Sequence, residues 1–223
     1  MNITNVFSIG YRCNTDDFLK IMDIRKCSSP FSYMVIDVRT ALNFIDDEFK
    51  NFLNDDQINH CNSTFLYNRQ PWNHYLYIHN VTRVPHPHPD IIHDMDTVCI
   101  WNHHNLQDDE IIKKIHRRAM HLIHCLHNES KQTLLFYIEK LQRYTDEKDV
   151  YFDTSIFEKY SCKFLVLVPL IDFYSNTPVI QYHDNKAYVI YFKSNNVANI
   201  DDHKDQWVML HRILESIYEF KIN

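Results

Sequence analysis

Glycine occurs only once in this chain of 223 residues, at Gly10, and alanine is also scarce. The plentiful residues are instead Asn, Asp, Ile, Lys, Tyr and Phe, which is typical of an AT-rich coding sequence. Because of this bias, the 15 histidines are weak evidence of functional sites when each is taken alone. A glycine retained in such a chain indicates a backbone position that tolerates no Cβ atom, because φ is positive or because another group approaches closely.

Long apolar segments and a basic charge are also missing. No apolar run approaches the roughly 20 residues that span a bilayer, and the first residues lack the basic and apolar regions of a secretory signal. We therefore expect a cytoplasmic location, in the host cytoplasm or the virion if the chain is viral, and no membrane partner. The formal net charge of -6 leaves no basic footprint for binding nucleic acid.

The six cysteines are scattered without CxxC pairs, which predicts free thiols that mostly belong to the core. A zinc site is the obvious rival use for so many histidines, with candidate ligands at His86, His88, Asp90 and His93. The prolines between these histidines favour polyproline geometry, in which residues i and i+2 point to different sides. We therefore predict no metal and no other cofactor.

The hydrophobic pattern predicts an α/β fold in a single domain over residues 1–223. Continuous apolar runs at 133–138 and 163–171 are typical of strands covered on both faces. Shorter strands are predicted at 65–67, 75–78 and 97–101, and a terminal hairpin at 179–182 and 187–192. Helices are predicted after Gly10, from Asp37, from Asp108 to about His127, and near the C-terminus. Together these elements favour a three-layer sandwich with a mostly parallel sheet and an antiparallel C-terminal hairpin.

Ligands of such sheets bind outside the carboxyl ends of the strands, so residues that follow predicted strands are the first candidates for a site. These are Gly10 to Cys13, Asn102 to Asn105, Glu139 and Asp172. Only the first two segments contain a nucleophile or a base suited to neutral pH.

Cys13 is the candidate nucleophile because it follows a strand and a glycine turn, close to the start of a helix. Free backbone N–H groups and the positive helix end favour a thiolate there and can bind an oxyanion. Arg12 adds positive charge, whereas Asp16 and Asp17 oppose it. The alternative is a small thiol buried under a tight turn.

The candidate base is His103 or His104, which follow the predicted strand at 97–101, and only one of them would face the site. His79, after the predicted strand at 75–78, is a weaker substitute. A basic cluster on the predicted helix from Asp108 either binds a phosphate or acidic group or forms a solvated face, with Arg118 pairing an acid. This cluster consists of Lys113, Lys114, Arg117 and Arg118.

The segments Phe7–Cys13 and Ser29–Tyr33 resemble a family of uncharacterised proteins, described as papain-like cysteine peptidases, with members in bacteria and giant viruses. The resemblance implies that Cys13 is the nucleophile and that His103 or His104 is the general base. It also implies an α+β papain-like fold as the alternative to α/β. The family usually has Asp-Trp where this chain has Ser32-Tyr33, which implies an altered or inactive site.

The opening segment is also similar to another family of α/β hydrolases, which implies action on esters or glycans. We therefore predict a cysteine-dependent hydrolase with a peptide or small-molecule substrate. Its predicted substrate-binding residues are Gly10, Arg12, Ser32, Tyr33 and Arg118. The alternatives are a non-catalytic binding module that retains a degenerate hydrolase pocket and, less favoured, an enzyme acting on nucleotides or sugar phosphates. The oligomeric state is left open.

Overall fold

The protein is described by a computed structural model. The residues that the structure describes are 2–10, 13–25, 27–32, 34–53, 65–68, 77–84, 97–101, 108–139, 141–146, 151–183, 186–194 and 204–220. The helices are α1 (Cys13–Ile21), α2 (Val38–Asp46), α3 (Asp109–Asn128) and α4 (Lys204–Ile217). The strands are β1 (Asn2–Ile3), β2 (Asn5–Ser8), β3 (Met34–Val35), β4 (Phe65–Asn68), β5 (Tyr77–Val84), β6 (Thr97–Trp101), β7 (Thr133–Ile138), β8 (Gln142–Arg143), β9 (Lys163–Ile171), β10 (Val179–His183), β11 (Ala187–Lys193) and β12 (Glu219–Phe220).

The main sheet has the strand order β10-β11-β9-β7-β2, and β8 pairs with the end of β9. The pairs β2–β7, β7–β9, β8–β9 and β9–β11 are parallel, and the pair β10–β11 is antiparallel. The apolar runs predicted at 133–138 and 163–171 are β7 and β9, with the predicted bounds. The terminal hairpin is β10 and β11, and one residue is added at the end of each predicted strand.

Side chains of the parallel strands alternate between two apolar layers. In β7, Leu135 and Tyr137 belong to one cluster, and Leu134, Phe136 and Ile138 to the other. Helices α2 and α3 complete the first cluster, while α1 and α4 complete the second. Because both faces are covered, these strands need apolar residues at every position, which explains their continuous runs. The three-layer α/β prediction is confirmed, rather than the α+β alternative; the single domain stays a prediction.

The predicted helix starts are confirmed by their caps. The Asp37 carboxylate accepts a hydrogen bond from the Thr40 N–H at 3.0 Å, and that of Asp108 accepts one from the Glu110 N–H at 2.9 Å. Each bond satisfies a backbone donor that has no partner within its own helix. α3 then buries Ile115, Ala119, Leu122 and Cys125 against the sheet.

Residues between α1 and α3 contribute a second sheet, antiparallel, with the order β3-β6-β5-β4. Its strand β5 continues to Val84 instead of ending at residue 78, so the prediction that His79 follows a strand is wrong. His79 lies inside β5, where it pairs with Leu66 of β4. Of the predicted segment 75–78, the structure describes residues 77 and 78, which are the first two residues of β5.

Gly10 follows β2 with φ +112°. A Cβ atom at this position would lie 2.5 Å from the carbonyl oxygen of Ile36 and 2.8 Å from its Cγ2. Both reasons for a retained glycine therefore apply, positive φ and close approach. The contact matters for the site because it lets the segment that precedes α2 pack directly on the turn that leads to Cys13.

We expect Gly10→Ala to lower the free energy of unfolding by about 2–4 kcal/mol, since it combines backbone strain with a clash against a main-chain oxygen. Urea unfolding measures the difference. Gly10→Asn should be equally harmful, because asparagine tolerates positive φ but also carries a Cβ. Wild-type stability of either variant would show that the Ile36 carbonyl yields easily.

Buried thiols and phenols make the fold sensitive to alkali. Burial raises the pKa of Cys162 and of Cys27 from 9.0 to about 12, and that of Tyr191 from 10.0 to about 12. Above pH 9 the unfolded chain loses protons that the folded chain keeps, so unfolding becomes more favourable. The stabilising effect is complete below pH 9 and is lost as the pH rises toward 12.

The melting temperature should therefore be nearly constant from pH 7 to about pH 8.5 and should fall steeply between about pH 9 and about pH 11. Calorimetry or circular dichroism across this range tests it. Cys162→Val, which removes one buried ionisable group at similar volume, should make the fall shallower. An equally steep fall in this variant would contradict the role of Cys162.

Candidate active site at the carboxyl end of the sheet

The turn between β2 and α1 is held by hydrogen bonds on both sides of Gly10. The N–H of Ile9 donates to the carbonyl of Phe136 at 2.9 Å, which continues the pairing of β2 with β7. The hydroxyl of Thr15, itself buried, donates to the carbonyl of Gly10. Cys13 is the first residue of α1, and the structure describes its backbone only.

The first turn of α1 contains a buried carboxylate, that of Asp16, which is 1% exposed. Its Oδ1 accepts hydrogen bonds from the hydroxyls of Ser32 at 2.9 Å and Ser8 at 3.4 Å. The same oxygen forms an ion pair with Nε of Arg25 at 3.1 Å, and Oδ2 lies 3.4 Å from Nζ of Lys20. A buried carboxylate is tolerated when it is paired and hydrogen-bonded in this way.

The sequence predicts that Asp16 and Asp17 oppose a thiolate at Cys13. In the structure Asp16 is paired with Arg25 and Lys20, and Asp17 also lies 3.0 Å from Nζ of Lys20. Nearby cations offset the field of a carboxylate, so these two paired acids oppose the positive end of α1 less than two unpaired carboxylates would. Arg25 was not a candidate, because nothing in its sequence pattern relates it to α1.

The loop before β3 packs on this carboxylate through Ser32. The Ser32 hydroxyl donates to Asp16 and accepts from the N–H of Ser29 at 3.0 Å, while the Ser29 hydroxyl accepts from the N–H of Phe31 at 3.1 Å. Ser32 is fully buried. Its substrate-binding role stays a prediction, and the contacts of its side chain are internal ones. The resemblance implies an aspartate at position 32, in the loop. In this chain the carboxylate beside Ser32 is instead that of Asp16, which belongs to α1.

The same loop leads to the strand pair that precedes the candidate histidines. β3 pairs with β6 in antiparallel register, with Met34 opposite Trp101 and Val35 opposite Ile100. Trp101 is the last residue of β6, and Asn102 follows it in the sequence. Arg12, Tyr33, His103 and His104 lie outside the described residues, and their roles stay predictions.

The two acids that follow the central strands differ in their surroundings. Glu139, after β7, is partly buried and accepts a hydrogen bond from the Tyr137 hydroxyl at 3.4 Å. Burial raises the pKa of Tyr137 well above its usual value, and the nearby carboxylates of Glu139 and Asp37 raise it further. Asp172, after β9, is exposed at φ 60° and lies 3.9 Å from Nε of Arg143.

The basic cluster lies on the outer side of α3. Lys113 is exposed and pairs with Glu110 at 2.8 Å, and Lys114 and Arg117 are also exposed. Arg118 is partly buried, with its Nη1 atom shielded from solvent. A substrate-binding role for Arg118 stays a prediction.

One cysteine and one histidine of α3 are in contact, far from the candidate turn in sequence. Cys125 Sγ lies 3.6 Å from Nε2 of His121, whose ring meets Phe7 edge-on at 5.6 Å. Burial raises the pKa of the Cys125 thiol, and the charge of Glu129 raises it further. We interpret this pair as a packing contact at the edge of the core, because His121 is exposed and a protonated buried thiol is a poor nucleophile.

Within the described residues, no group of three or more His, Cys, Asp or Glu side chains is arranged to hold a metal ion. The histidines weighed as zinc ligands, His86, His88 and His93, lie outside those residues, as does Asp90. In the same described part of the chain, none of the helices has the length and apolarity needed to cross a membrane.

Replacement of Ser32 tests the hydrogen bonding of Asp16. Ser32→Ala should lower the free energy of unfolding by about 1–2 kcal/mol, and Ser8→Ala by less, since its bond is longer. Ser32→Asp brings a second carboxylate against Asp16, so we expect a larger loss, which is greater at pH 7 than at pH 4 because protonation relieves the repulsion. Urea unfolding at both pH values measures this. A fully stable Ser32→Asp protein at pH 7 would contradict the contact.

A family model described as "Putative papain-like cysteine peptidase (DUF1796)" matches residues 4–155. The searches of curated proteins and of solved structures find no match. The matched range includes β2, the Gly10 turn, α1, the antiparallel sheet, α3 and β7, while β9 and the elements after it lie beyond the match. Since the match covers more than half of the chain, this protein belongs to that family, as its Gly10–Cys13 and Pro30–Phe31 motifs predict.

Proposed function

We propose that this protein is a cysteine-dependent hydrolase in which Cys13 is the nucleophile and His103 or His104 is the general base. The observation that carries the proposal is the position of Cys13 as the first residue of α1, directly after the glycine turn at the carboxyl end of β2. The start of a helix stabilises a thiolate and offers N–H groups to an anion. Membership of a family described as cysteine peptidases supports the same assignment.

The histidines after β6 are favoured as the base by a chain of contacts. Ser32 is hydrogen-bonded to Asp16 in the first turn of α1, and Met34, two residues later, pairs with Trp101. The carboxyl end of β6, which the segment 102–107 follows in the sequence, therefore lies beside the loop that packs on α1. His103 and His104 are the second and third residues of that segment. His79 is less suitable because it is the third residue of β5 and does not follow that strand.

The proposed reaction is acyl transfer through a thioester. The Cys13 thiolate attacks the carbonyl carbon of an amide or ester, and backbone N–H groups at the start of α1 stabilise the oxyanion. The histidine that took the thiol proton returns it to the leaving group, and it then activates the water that hydrolyses the thioester. Arg12, Tyr33 and Arg118 are proposed substrate contacts. This chemistry requires no cofactor.

The reactivity of Cys13 toward iodoacetamide tests the proposal. Burial raises the pKa of Cys27 and of Cys162 to about 12 and also raises that of Cys125, so these thiols are protonated at pH 7 and should react slowly. We expect Cys13 to be alkylated at least about ten-fold faster than any of them. Peptide mapping by mass spectrometry measures the rates, and Cys13→Ala is the control. Alkylation of Cys13 no faster than the other thiols would refute the proposal.

The pH dependence of alkylation identifies the base. The rate of Cys13 alkylation is measured from pH 5 to pH 10 in His103→Ala and in His104→Ala. The apparent pKa of Cys13 should rise in the variant that lacks the general base and should not change in the other variant. Removal of an imidazolium neighbour disfavours the thiolate, which gives the direction of the shift. An unchanged profile in both variants would favour the alternative function, a binding module without catalysis.

A further inference from the structure

The two outer strands of the main sheet, β10 and β2, differ in what lies beside them. At the β2 edge, the Cys27 thiol donates to the carbonyl of Val6 at 3.7 Å, so the segment after α1 covers part of that strand. At the β10 edge, none of the strands that the structure describes pairs with the side away from β11. An antiparallel strand directs the N–H and C=O groups of every second residue away from its partner. β10 therefore offers a row of backbone groups to a further strand.

β10 lacks the features that usually keep an outer strand from pairing with another chain. Such strands commonly carry a lysine or another charge, a proline or a bulge. β10 has the sequence Val-Ile-Gln-Tyr-His (Val179–His183), which contains no proline and, with its histidine neutral, no charge. Its residues pair one to one with those of β11 along the whole strand, which excludes a bulge. The edge is regular, and its own sequence does not block it.

The side chains that β10 exposes most are apolar. Ile180 is 45% exposed and Tyr182 is 48% exposed. They pair with Ile190 and Tyr188 of β11, so they lie on the face of the sheet that α1 and α4 cover. The Tyr182 ring stacks on that of Tyr188 at 4.4 Å, and Tyr188 meets the buried ring of Tyr218 at 5.6 Å. The apolar layer therefore continues to the edge of the sheet and ends there in two half-exposed side chains.

We propose that the edge of β10 pairs with β10 of a second copy of this chain, in antiparallel register about Gln181. In this register Ile180 of each copy lies opposite Tyr182 of the other, so the half-exposed apolar side chains of both copies cover one another. A two-fold axis through the Gln181 pair relates the copies and closes the assembly as a dimer. The two main sheets then form one continuous sheet.

Symmetry and charge favour a second copy over an unrelated strand as the partner of β10. Ile180 and Tyr182 are placed symmetrically about Gln181, so the strand is complementary to its own reverse. Because β10 carries no charge, like charges do not meet across the axis, although each chain has a formal net charge of -6. An unrelated strand would satisfy the backbone groups equally well, but it would have to supply apolar residues at the matching positions.

The dimer does not depend on the proposed hydrolase function. Antiparallel pairing of the two β10 strands directs the carboxyl ends of the two parallel sheets in opposite directions, so the two Cys13 turns lie at opposite ends of the continuous sheet. A monomeric variant should therefore be alkylated at Cys13 at the wild-type rate. Failure of either proposal leaves the other intact.

Sedimentation equilibrium of the full chain tests the interface. Wild-type protein should form a dimer of 27.0 kDa subunits with a Kd of at most about 10 μM. Ile180→Lys places a hydrated ammonium group at the edge and should raise the Kd at least about ten-fold. Ile21→Lys is the matched control, because Ile21 is 54% exposed on α1, which packs through Phe18 on Phe136 of β7, away from β10. Its Kd should stay within about two-fold of wild type. Melting temperatures establish that both variants are folded.

A charge pair tests the register. Ile180→Lys and Tyr182→Glu should each be largely monomeric alone, and their equimolar mixture should form a heterodimer. In that heterodimer the new ammonium and carboxylate groups lie directly opposite each other, and the native pair of Ile180 and Tyr182 remains on the other side of the axis. Three results would each overturn the proposal: a wild-type protein that stays monomeric, a Kd that Ile21→Lys raises as much as Ile180→Lys, or a mixture that does not associate.

Discussion

The buried carboxylate of Asp16 connects the parts of the molecule that surround the candidate site. Removal of this charge from water is costly, and the cost is offset only if Arg25, Lys20 and the hydroxyls of Ser8 and Ser32 remain in contact with it. These partners belong to β2, α1, the residues that follow α1, and the loop before β3. A single electrostatic requirement therefore fixes how four segments meet beside Cys13, in a place where apolar packing alone is less directional.

The second constraint is steric and involves the backbone alone. Gly10 packs against the carbonyl of Ile36, so the turn that leads to Cys13 and the segment that leads to α2 are in direct contact. Between Gly10 and Ile36 the chain forms α1 and the loop that carries Ser32. The contact between Gly10 and Ile36 joins the two ends of this segment. The ion pair between Asp16 and Arg25 holds its middle. The backbone around the candidate nucleophile is thus held from both sides.

The parallel sheet gives the site its surroundings without deciding its chemistry. The same fold class supports many activities, so the function depends on the residues at the strand ends. The end of β2 leads to the glycine turn and Cys13.

The longest strands of the main sheet and the starts of two helices follow from the sequence by itself. The runs that became β7 and β9 are apolar at every position because both faces are buried, and the starts of α2 and α3 carry the aspartates that cap them. Gly10 could also be identified from the sequence, because a chain with so little glycine keeps one where the backbone tolerates no Cβ atom. These signals are local, and each residue reports its own surroundings.

Only the tertiary structure decided which distant residues meet. The pairing of Asp16 with Arg25 and Ser32, the separate antiparallel sheet, and the position of His79 inside β5 all depend on contacts between segments that the sequence pattern does not relate. Periodicity records whether a side chain is buried but not which partner buries it. For that reason the sequence could not show that the Ser32 hydroxyl, expected to face a substrate, donates a hydrogen bond to the Asp16 carboxylate.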